Sequence, residues 1–148
     1  MPTPAGATEM GRVIVTAKVE NLADLLEARD GLIPADNIRI VDLDDALIDT
    51  GAKMLSLPQR TIEQLGLVFQ RKRSGRTPAG TKEFDIYSPV RLTIQGRDCV
   101  AEVAGIPDEC PPLIGQLPLE MLDFYVDPAG QRLSGNPEHG GERMIDMF

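Results

Sequence analysis

The tightest constraint on this chain is its hydrophobic rhythm, which has a period of two over most of the length and turns helical only in short bursts. Residues 12–20 place Val13, Val15, Ala17 and Val19 on one face, the pattern of a half-buried strand. Asn21 then stands where an N-cap is wanted, ahead of Leu22, Leu25 and Leu26 at helical spacing, with Asp30-Gly31 as the stop. Residues 38–41 read as a further strand, followed by the acidic Asp42-Leu43-Asp44-Asp45 and the apolar run Ala46-Leu47-Ile48. Pro58 suits the first position of a second helix that carries Ile62 and Leu65 and ends at Gly66. Residues 67–103 read mostly as strands, with turns at 77–80 and 95–98. A proline-bearing loop over 105–112 leads through Leu113-Ile114-Gly115 into a third short helix with Leu119 and Leu122. Pro118 fits only in the first turn of that helix. The pattern predicts an all-β fold, mainly strands with two or three short helices.

Composition narrows the function classes. The 148 residues suit one domain, and a chain of that size buries roughly 68–70% of its unfolded surface, so it needs no staples. Hydrophobic residues at 42% and charged residues at 26% are ordinary for a globular protein. Fifteen basic against twenty-three acidic side chains leave a net charge of −8, which disfavours nucleic acid or an anionic membrane as the main partner. No run approaches the roughly 18 apolar residues of a membrane-spanning helix, and residues 1–10 lack the basic start and apolar stretch of a signal peptide. Cys99 and Cys110 make no disulfide framework and are expected as reduced thiols. The single His139 rules out any site that needs two histidines. The expectation is a cytoplasmic protein with no cofactor and no bound metal.

Chemistry concentrates at Ala46-Leu47-Ile48-Asp49-Thr50-Gly51-Ala52. A carboxylate at the end of an apolar strand is costly to desolvate for structural reasons alone. Asp49 can act there as an acid or base, Thr50 can fix the loop through its hydroxyl, and Gly51 lets a second backbone approach closely. The same residues also read as an Asx-type turn, with Asp49 capping the segment that follows.

This segment, with Leu113-Ile114-Gly115 downstream, resembles the retropepsin family, the single-lobed aspartic proteases of retroviruses, retroelements and some bacteria. The family pattern is an apolar run, Asp-Thr/Ser-Gly-Ala, a flap hairpin, then two apolar residues and a glycine opening a helix. All four parts occur in that order: Ala46 to Ala52, a hairpin turning at 77–80, Leu113-Ile114-Gly115, and a helix through Leu122. The resemblance covers residues 13–124, and implies one domain over 12–126 with a helical insertion near 21–40. Residues 1–11 are expected as a flexible leader. Residues 127–148 are a C-terminal extension whose apolar end, 144–148, is a possible dimer strand.

The resemblance implies an aspartic endopeptidase. Such enzymes need two carboxylates about 3 Å apart that share one proton, because two charges so close cannot both ionise. At an effective dielectric near 20 they repel by roughly 5 kcal/mol, so the pair titrates jointly. This chain has one Asp-Thr-Gly and is too short for two lobes, so the implied assembly is a homodimer with Asp49 of each copy on the two-fold axis. The dyad would hold a water that attacks the peptide bond of a peptide or protein substrate. Thr50 and Gly51 would support the catalytic loop, and Gly51, Ala52, Ala79 and Gly80 would contact substrate, the last two from the flap tip. Three features depart from the family: Lys53 where viral members are acidic, a longer 21–40 segment, and a flap tip with a single glycine.

Two other readings stand beside this one. A retropepsin-like domain can serve as a catalytically silent dimerisation or peptide-binding module. Alternatively, a strand ending in Asp42-Leu43-Asp44 looks like the first motif of haloacid-dehalogenase-type phosphatases, with Asp42 as nucleophile, Asp44 as acid and Mg²⁺ as cofactor. The basic cluster Arg71-Lys72-Arg73 with Arg76 reads as a solvated flap strand. Cys99, Phe84 and Tyr87 read as packing residues, and Cys110 and His139 as loop residues.

Overall fold

The computed structural model describes residues 13–127 and 132–143. The expected leader at 1–11 and the expected dimer strand at 144–148 lie outside the described residues. The elements in chain order are β1 (Ile14–Asn21), α1 (Leu22–Arg29), a 3-10 turn (Ala35–Asn37), β2 (Ile40–Ile48), β3 (Leu55–Pro58) and α2 (Gln59–Leu65). There follow β4 (Phe69–Thr77), β5 (Gly80–Ile94), β6 (Arg97–Ile106), β7 (Leu113–Ile114), α3 (Gln116–Leu122), β8 (Phe124–Asp127), β9 (Arg132–Gly135) and a second 3-10 turn (Pro137–His139). About half of the structure is strand, so the mainly β expectation holds, with three short α-helices among the described residues.

Seven strands form one sheet in the order β1-β2-β7-β3-β6-β5-β4, and β1 also pairs with β5. That extra pairing, Lys18 opposite Thr93 through Asn21 opposite Val90, closes six of the strands into a barrel and leaves β4 outside it. Closure removes most free edges, the main aggregation hazard of a strand-rich chain. Among the described strands, β2–β7 and β3–β6 run parallel and the other pairs antiparallel. The core fills the barrel with Val13, the odd-numbered Ala17 and Val19 of β1, Leu55 and Leu57 of β3, and Val90, Leu92 and Ile94 of β5. Ile62 and Leu65 of α2 and Leu119 and Leu122 of α3 complete it.

Local chemistry explains the helices. Asn21 caps α1 as expected: its Oδ1 accepts the Asp24 amide at 3.0 Å, while its Nδ2 donates to Leu65 O at 2.8 Å and ties α1 to α2. The leucines do not anchor α1, however; Leu26 is 41% exposed and the buried helix residue is Asp24. Gly66 ends α2 in the left-handed region (φ 64), and Pro58 precedes that helix as the last residue of β3.

Two strands differ from expectation. β2 is one nine-residue strand from Ile40 to Ile48, where the pattern had suggested two apolar pieces around an acidic run. A register shift opposite Val15 and Ala17 sets Leu43 and Ala46, three residues apart, on the inward side and puts Asp44 and Asp45 outward in the bulge. The tail holds a β8–β9 hairpin where turns alone were expected. Its anchor is Asp123, the buried C-cap of α3 (φ 57), whose carboxylate accepts Asn136 Nδ2 at 3.2 Å and lies 2.6 Å from His139 Nδ1. His139 is thus part of a packed cluster.

Candidate functional site

The 49–52 loop grows from the barrel. β2 ends against two neighbours: Ile48 N donates to Val13 O at 2.9 Å, and Leu47 N to Pro112 O at 2.9 Å. β7 then lies parallel to it, Leu47 opposite Leu113 and Ile48 opposite Ile114, and the Asp49 amide donates to Ile114 O at 3.0 Å. Past Asp49 the chain turns, with Ala52 N donating to Asp49 O at 3.1 Å and Gly51 N to Asp49 Oδ1 at 3.0 Å. It then lies on the start of α3, where Gln116 N donates to Ala52 O and Leu117 N to Lys53 O, each at 2.9 Å. The contact is too close for any side chain at Gly115: a Cβ there would stand 2.5 Å from Met54 O and 2.6 Å from the Lys53 carbonyl carbon. The two sequence motifs therefore meet as one backbone unit, although more than sixty residues separate them.

Ile48 and Ile114 of this unit point into the core, and the loop between them and α3 lies at the surface. Asp49 is half-buried, while Thr50, Gly51 and Lys53 are exposed. One Asp49 oxygen is held by the Gly51 amide, which is the Asx-type turn. No hydrogen bond to the other oxygen or to the Thr50 hydroxyl is made among the described residues.

The remaining expected residues sit on a separate element. Ala79 and Gly80 occupy the turn of the β4–β5 hairpin, where Thr77 Oγ1 donates to Gly80 O at 2.7 Å and accepts the Ala79 amide at 3.2 Å. Gly80 takes φ 113, a conformation that favours glycine. Within this chain no hydrogen bond joins the tip to the 49–52 loop among the described residues. Two open grooves, of about 520 and 440 Å³, lie elsewhere. The larger runs beside β1 and β9 and the smaller beside the base of the hairpin, and neither is lined by Asp49. The α1 segment lies at the opposite end of β2 from Asp49, roughly 25 Å of extended chain away.

The phosphatase arrangement does not form. Asp42 and Asp44 stand exposed in the middle of β2, which pairs antiparallel with β1, whereas metal-dependent sites of parallel α/β sheets collect at the carboxyl ends of strands. No three His, Cys, Asp or Glu side chains come together as a metal cage among the described residues.

Sequence reasoning missed β3, whose Leu55 and Ser56 pair with Ile114 and Leu113 and hold β7 in place. Its signal was the alternating Leu55-Ser56-Leu57, too short to separate from a loop. Around the flap, Arg71 grips Glu102 through two bonds of 2.9 and 2.8 Å, and Lys72 meets Asp85 at 2.8 Å. Both pairs are exposed, and each partner holds the cation's proton more firmly than usual. No described helix is long and apolar enough to cross a membrane. No protein-family model matches this chain, and no curated protein matches it.

Proposed function

We propose that this chain is one half of a retropepsin-like aspartic endopeptidase, a cytoplasmic homodimeric hydrolase in which Asp49 of two copies forms the catalytic dyad. One observation carries the reading: the parallel lock of Leu47-Ile48 on Leu113-Ile114, which seats the Asp-Thr-Gly-Ala loop on Gly115 and leaves one carboxylate oxygen without a hydrogen bond among the described residues. A half-buried carboxylate with one oxygen that no described residue bonds suits a site completed by a second copy. There the ionised Asp49 takes a proton from the water between the two groups, and the protonated one donates to the substrate carbonyl oxygen as the water attacks carbon. Gly51 and Ala52 offer backbone to an extended peptide from below, and Ala79 and Gly80 offer it from above once the hairpin closes. The two unbonded cysteines suit a reducing compartment.

A silent dimerisation or peptide-binding module is the second reading. The observation that favours it is the Gly51 amide on Asp49 Oδ1, which gives the carboxylate a structural role without chemistry. Asp49→Asn decides between them. In the enzyme, peptide-library cleavage falls by roughly two to four orders of magnitude. The dimer persists on sedimentation because like-charge repulsion across the axis is relieved. A wild-type chain that stays monomeric at high concentration, or a variant that cleaves as well as its parent, overturns the proposal.

A further inference from the structure

The β4–β5 hairpin carries Arg71, Lys72, Arg73, Arg76 and Lys82 against Glu83 and Asp85, a local positive excess on a chain of net charge −8. Arg71 and Lys72 are neutralised by Glu102 and Asp85. Arg73, Arg76 and Lys82 are exposed and form no ion pair among the described residues; Arg73 reaches Glu102 only through space, and Arg71 already holds both of that carboxylate's oxygens. The register sets Arg73 opposite Phe84 and Lys82 opposite Gly75, so all four lie on one face of the hairpin. The Phe84 ring rests on Gly75, 2.9 Å from where a Cβ would stand, so an aromatic surface sits between two cations because residue 75 has no side chain.

Folding does not ask for this arrangement. Like charges on neighbouring cross-strand pairs destabilise a hairpin. Cations on β4, the end strand, do protect an edge from aggregation, but Lys82 and Phe84 belong to the inner strand β5. Solubility is already served by the net charge. The outer backbone edge of β4 has no strand partner among the described residues and can take an extended chain by strand addition.

We propose that this face of the hairpin docks acidic peptide segments, with two or three carboxylates read by Arg73 and Lys82 across Phe84. Resting on the protease reading, the surface selects protein substrates that carry Asp or Glu beside the cleaved stretch. A peptide is favoured over nucleic acid because the acidic body repels a polymer with one charge per about 1.7 Å, whereas a few carboxylates engage the hairpin alone.

The test uses the full-length Asp49→Asn chain, which holds peptides uncut, and fluorescence anisotropy. Two short peptides share an apolar centre and differ only in Glu or Gln flanks. The Glu peptide is expected to bind about tenfold tighter, and the ratio should fall towards one in about 0.5 M salt. It should also fall towards one on adding Arg73→Gln with Lys82→Gln, with circular dichroism confirming the fold. Equal affinities, or a ratio untouched by salt and by the substitutions, overturn the surface. Tighter binding of an oligothymidylate than of the Glu peptide overturns it in favour of nucleic acid. Wild-type cleavage separates the two proposals. A chain that binds the Glu peptide selectively but cuts nothing keeps the surface and loses the enzyme, while one that cuts both peptides equally well keeps the enzyme and loses the surface.

Discussion

Asp24 is a carboxylate that a sequence reader would leave on the outside of a helix, yet its side chain is only 6% exposed. Arg39 explains the burial: its amide and Nε donate to Asp24 Oδ2, each at 2.9 Å, and its Nη2 donates to Oδ1 at 3.0 Å. The Arg39 side chain holds the Asp24 carboxyl below the usual carboxylate range against the opposing effect of burial. A lowered folded value means that the pair contributes fully above the ordinary aspartate value near 4 and is lost as pH falls through the folded value. Asp24→Asn should therefore lower stability at pH 7 by about 1–2 kcal/mol, the small figure reflecting the half-exposed Arg39, and the gap to wild type should close in acid. Urea unfolding at neutral and acid pH reads both. Gly115 carries the opposite kind of constraint, one of space. Gly115→Ala should cost about 3 kcal/mol, because the atoms it meets are backbone and cannot swing aside. A melting temperature unchanged by that substitution would refute the close packing of the 49–54 loop on α3.

At the scale of elements, the chain was legible where one local rule decides. The Asn21 cap, the Gly66 stop and the two hairpin turns follow from side-chain chemistry or from φ alone. The β5–β6 turn shows both the rule and an exception to it. Its two residues, Gln95 (φ 50) and Gly96 (φ 79), are both left-handed, which suits Asn-Gly better than Gln-Gly. Gln95→Asn should raise stability by roughly 0.5 kcal/mol without touching any other contact, measurable as a shift in the urea midpoint at constant slope. Legibility failed where pairing decides. The even spacing of β2 is broken by a bulge that exists only because β1 lies beside it, so the acidic run looked like an interruption. β3 and β7 are too short to show a period, and they are strands because β6 and β2, distant in the chain, pair with them and they pair with each other. For the same reason the carboxylate loop at 49–52 stands out in the sequence, but its seating on Gly115 does not.

Across the whole molecule, the closed barrel makes the interior cooperative, and Cys99 reports on it. Burial pushes the Cys99 thiol up to about 11, overcoming Arg143 nearby, whereas Cys110 lies in a partly exposed loop. Alkylation at pH 8 should tag Cys110 alone in the native protein and reach Cys99 only through global opening, which mass spectrometry of a labelling time course can follow. Labelling of both at equal rates would contradict a sealed core. The same scale governs the proposed activity, since one barrel presents one Asp49 and a second copy must supply the other.

By itself the amino-acid order determined the mainly β character, the three short helices and where they stop, and which carboxylate stands at the end of an apolar run. Those outcomes depend on neighbours within a few residues, and local sterics and burial patterning act at that range. Only the tertiary structure decided that β1 closes on β5, that Leu47-Ile48 lies along Leu113-Ile114, and that Asp24 and Asp123 are buried while Leu26 is not. These depend on contacts between residues far apart in the chain, where the loss of chain entropy is offset only by the packing of the assembled barrel.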